Sequence, residues 1–68
     1  MEQDKEQRLE AFEIMLKAVQ NQYADITDKM ERLKNQGKVK SVTYHQLMGN
    51  RMMYQNMLSL YQIYGLLS

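Results

Sequence analysis

Sixty-eight residues set one domain as the upper limit, and a chain this short buries only about 60% of its unfolded surface, which leaves a marginal core. It has no cysteine and a single histidine, His45, so neither a disulfide framework nor a thiolate or multi-histidine metal site is expected to staple it. Nine basic residues against eight acidic ones give a net charge of +1, too little for a global pull toward nucleic acid or an acidic membrane.

The start, "MEQDKEQRLE", is acidic and polar, without the basic and then apolar run of a secretory signal. From Leu9 the apolar residues fall at Phe12, Leu16, Val19, Tyr23, Ile26, Met30 and Leu33, in steps of three and four. That is a heptad seam, and it predicts a first helix over about residues 3–36. Acidic residues lead it and Lys29, Arg32 and Lys34 close it, an order that suits the helix dipole. "NQGK" then supplies Gly37, suited to the left-handed position just past a helix end.

The turn is expected over 37–43. Thr43 followed by Gln46 reads as a capping box, and Val42 with Leu47 reads as a hydrophobic staple around it. A second helix is predicted over about 44–66. Two helices joined by so short a link fold back antiparallel. Pairing Leu33 with Tyr44 carries Met30 to Leu47, Tyr23 to Tyr54, Leu16 to Tyr61 and Phe12 to Gly65, where the absent side chain leaves room for a ring. Ile26 then meets Arg51, whose stem would cover it while the head reaches Asp25 or Asp28.

The second helix carries more apolar surface than one neighbour can cover. Leu47, Tyr54, Leu58 and Tyr61 serve the first helix. Met53, Met57, Leu60, Tyr64 and Leu67 form an adjoining face, with Met15 and Ala18 as its counterpart on the first helix; Met48, Met52, Ile63 and Leu66 lie further round. A helix apolar over more than half its circumference is buried on more than one side. The expected fold is therefore an all-α antiparallel helical hairpin that dimerises into a four-helix bundle, with those seven residues as the oligomer interface.

No catalytic, cofactor-binding or metal-binding constellation is legible: there is no Gly-rich phosphate loop and no nucleophile beside a base. His45 reads as a surface residue, and four of the five tyrosines as packing residues. No stretch is apolar enough to span a membrane, because Gln, Asn, Ser and Arg interrupt the tail every few residues. The expected role is a cytoplasmic, non-enzymatic protein–protein interaction module, an adaptor or regulator. It pairs with itself or, through its Met/Tyr-rich face, with another protein. The rival reading is a nucleic-acid-binding hairpin dimer, with Lys29, Arg32, Lys34, Lys38 and Lys40 touching phosphate around the turn. It is less favoured, since no aromatic or Gly-rich element accompanies that charge.

Overall fold

The computed structural model describes residues 4–67. Two helices, α1 (Lys5–Asn35) and α2 (Val42–Ile63), pack against each other, and there is no strand among the described residues. Asp4 caps α1, its side chain accepting from the Gln7 amide at 2.7 Å. Gln36 closes the helix and Gly37 follows at φ +72°. The Lys38 amide donates to the Leu33 carbonyl (2.8 Å) and the Gly37 amide to that of Lys34 (3.0 Å). This paired closure satisfies carbonyls the helix leaves orphaned, and it needs a left-handed residue at its centre. The same closure recurs after α2, where Gly65 has φ +72° and the Leu66 amide reaches the Tyr61 carbonyl at 2.8 Å.

The second cap differs from the one the sequence suggests. Ser41 is the N-cap: its hydroxyl accepts from the Tyr44 amide at 3.1 Å and donates to the Lys38 carbonyl at 2.7 Å. Thr43 is already helical, and Val42, 72% exposed, does not act as a staple. The reason lies in the turn. The paired closure around Gly37 is followed by a bend in which the Ser41 amide reaches the Lys38 carbonyl at 3.2 Å. That places Ser41, two residues ahead of Thr43, at the mouth of the new helix.

The seam of α1 is the face that α2 covers. Val19, Ile26 and Met30 are buried, and Phe12, Leu16, Tyr23 and Leu33 half-buried; Leu9 stays exposed. From α2, Tyr44, Leu47, Met48, Arg51, Tyr54, Met57, Leu58 and Tyr61 are half-buried, and none is fully buried. Thr27, beside Ile26, keeps its hydroxyl satisfied by donating to the Tyr23 carbonyl one turn back, at 2.8 Å.

One contact at the open end differs from expectation by a turn. The Phe12 ring meets Tyr61 edge-on, with centroids 5.5 Å apart, rather than sitting over Gly65. Gly65 lies beyond the helix, and a Cβ there would meet nothing within 4 Å, so it makes no socket for a ring. An edge-to-face aromatic pair adds about 0.5–1.5 kcal/mol beyond its area, a preference that spacing alone does not reveal. The expected ion pair of Arg51 with Asp25 or Asp28 is not formed. Those carboxylates engage Lys29 (3.1 Å) and Arg32 (2.7 Å) one turn along their own helix.

The resulting molecule is a plate one helix thick. Its extents are 49 × 26 × 14 Å, and a helix with side chains is about 10–12 Å across. Its radius of gyration is 15.4 Å, where a compact domain of this length has about 11 Å.

Candidate functional site: an uncovered apolar face

A single layer has two broad faces, and helical periodicity assigns side chains to each. At 100° per residue, the residues flanking the α1 seam on one side are Ala11, Met15, Ala18 and Gln22. The antiparallel run of α2 brings Met53, Met57, Leu60 and Tyr64 to that same side. The two stripes thus form one surface. It holds six of the seven residues that spacing alone marks as an interface, and the seventh, Leu67, lies just beyond the glycine closure of α2 and is half-buried.

This surface is open in the hairpin. Met15 is 42% exposed, Met53 49%, Leu60 55% and Tyr64 76%; Ala18 is exposed and Met57 half-buried. From residue 11 to 22 on α1 and from 46 to 64 on α2, its stripes carry no charge. The opposite face is more mixed: Gln20 and Thr27 of α1 and Gln55, Ser59 and Gln62 of α2 share it with Leu9, Met48 and, at its outer rim, Met52. Ile14, Met52 and Ile63 point away from the seam along the outer edges, at 65%, 57% and 75% exposure.

Toward the turn the surface changes character. A shallow depression of about 280 Å³ is lined by Lys29, Arg32, Leu33, Gln36, Thr43 and Leu47. The five basic residues singled out by the sequence gather around this end, and all are exposed. Two are already engaged: Lys29 and Arg32 hold the ion pairs with Asp25 and Asp28. Lys34, Lys38 and Lys40 project from the last turn of α1 and the loop. His45 is exposed in the first turn of α2, its ring edge-on to Tyr44 at 6.4 Å. Of the tyrosines, Tyr23, Tyr44, Tyr54 and Tyr61 are half-buried and only Tyr64 stands out.

Among the described residues no three His, Asp or Glu side chains are placed to hold a metal ion. No described helix is long and apolar enough to cross a membrane. The chain matches no protein-family model, no curated protein and no solved structure.

One feature that spacing did not reveal borders this site. Met48, grouped by spacing with the outermost residues, is half-buried; Arg51, paired by spacing with Ile26, is half-buried as well. A flexible thioether adapts readily to the edge of a packed seam.

Proposed function

We propose that this protein is a small, non-enzymatic interaction module that works as a homodimer, the uncovered face of one hairpin packing on that of another into a four-helix bundle. The observation that carries this reading is surface area. A compact monomer of 8.1 kDa exposes about 4,500 Å², whereas this hairpin exposes 5830 Å². The excess is about 1,300 Å², more than the roughly 800 Å² each partner contributes to an ordinary stable interface. It includes a charge-free apolar stripe on each helix, on one side of the plate. Stable domains are built from at least two packed layers, and a hairpin is one layer. A second copy supplies the other, and twofold dimers are the commonest solution. The bundle then acts by protein–protein contact, as an adaptor or regulator in the cytoplasm.

A charge placed on the face tests this reading. Leu60→Glu is expected to halve the mass of the wild-type dimer in analytical ultracentrifugation and leave a weakly helical chain, because an unpaired buried charge is not tolerated. Leu58→Glu, at the seam, is expected to unfold the chain at every concentration. Gln55→Glu, on the polar face, should change neither mass nor helicity. A wild-type monomer with a cooperative melt, or a Leu60→Glu dimer of undiminished stability, would remove the basis for the proposal. The basic turn separates the rival reading: nucleic-acid binding there would weaken steeply with added salt, and self-association through the apolar face would not.

A further inference from the structure

Apolar surface and charge are segregated along the hairpin in opposite senses. Of the large apolar residues exposed among the described ones, Leu9, Ile14 and Met15 lie in the first half of α1, and Met52 through Leu66 lie from the middle of α2 onward; only Val39 and Val42 sit at the turn. Up to residue 20, three basic residues face five acidic ones, a net −2. From residue 25 to 51, six basic residues face three acidic ones, a net +3. The open end is thus apolar and mildly acidic, and the turn is polar and basic.

From this, and resting on the dimeric reading above, we infer the arrangement of the second copy. The two hairpins overlap through their open halves and point their basic turns to opposite ends. The twofold axis passes near Met15 and between Met57 and Leu60, so that α1 crosses its own copy and α2 crosses its own copy. A twofold contact is self-complementary, so the patch that is centred on the axis must be the one that is apolar on both copies. The uncharged stripe of α1, Ala11, Met15, Ala18 and Gln22, meets that condition. Its small residues Ala11 and Ala18 allow close approach of the two backbones. The alternative twofold, along the hairpin's length, would stack the two turns side by side. It would crowd two copies of the +3 half at one end, while the open-half arrangement separates them by most of the length of the assembly. The product is a rod with a basic tip at each end.

The absence of cysteine makes single-cysteine labelling clean. Spin labels on Lys40→Cys, in the exposed turn, report the distance between tips in the intact dimer. With about 1.5 Å of rise per residue, the helix between Met15 and the end of α1 puts the tips about 60 Å apart. A second variant, Met15→Cys, is expected to cross-link to its own copy through a short bis-maleimide. A dimer with tips closer than about 30 Å, the outcome of side-by-side turns two helix diameters apart, overturns the inference and leaves the dimeric reading standing. So does a tips-apart dimer in which Met15→Cys fails to cross-link, since the axis then lies elsewhere. A monomeric mass for the labelled and wild-type chains alike overturns both.

Discussion

The three glycines separate backbone geometry from packing, because a Cβ at any of them would meet nothing within 4 Å. Gly37 holds φ +72° at the join of the two helices, so only backbone strain opposes a side chain there. Gly37→Ala is expected to lower stability by about 1 kcal/mol in a denaturant titration. Gly49 lies inside α2 in ordinary helical geometry, and the same substitution is expected to raise stability by about 0.5–1 kcal/mol. Opposite signs from one chemical change would show that φ alone decides. The caps offer a similar contrast. Ser41→Ala removes the oxygen that accepts from the Tyr44 amide and should cost about 1 kcal/mol, while Thr43→Ala, exposed within the first turn, should be close to neutral. Both residues are competent caps by type. The sequence offered the better-looking pattern at Thr43, with Gln46 three residues on, but the hydrogen-bonded bend from Lys38 to Ser41 decides which hydroxyl meets the free amides.

At the scale of the element, α1 and α2 contribute unequally. The fully buried residues are all on α1: Val19, Ile26 and Met30. An α1 residue on the seam lies in the groove between the two helices, while α2 shows an apolar surface too broad for one partner to cover. Ile26→Ala is expected to cost about 2–5 kcal/mol, enough to abolish a cooperative melt in a chain this small. Ile14→Ala, on the outer edge of the same helix, should stay within about 0.5 kcal/mol of wild type. The two i,i+4 ion pairs on α1 join side chains that are all more than half exposed, and exposed pairs of this kind contribute only about 0.3–0.5 kcal/mol each. They also engage Asp25 and Asp28, the two carboxylates that spacing offered to Arg51. The seam of α1 was legible in the sequence because one unbroken alternation of threes and fours has a single solution. On α2 the group taken by the neighbouring helix, Leu47, Tyr54, Leu58 and Tyr61, was legible as well, but the edge was not: Met48 and Met57, at the borders of that group, are half-buried too.

At the scale of the molecule, the plate is 14 Å thick and buries three side chains among those described, Val19, Ile26 and Met30. If its missing layer is a second copy, folding and association are one equilibrium. The melting temperature of the wild-type chain, followed by circular dichroism, is then expected to rise with protein concentration across the micromolar range. A melting temperature independent of concentration would mean that the hairpin is stable as a single layer.

The sequence by itself determined two helices, the break between them at Gly37, the seam of α1 and the surplus of apolar residues on α2. These are local properties: a helix fixes the angle between any two of its residues, and glycine's freedom at positive φ belongs to the residue alone. The tertiary structure decided the pairing of Phe12 with Tyr61 and the half-burial of Met48, while the hydrogen-bonded bend of the turn decided the cap at Ser41. The two packing features depend on how far one helix slides and turns against the other. That displacement is set by the sum of many weak contacts between residues distant in the chain, and no spacing within a single helix records it.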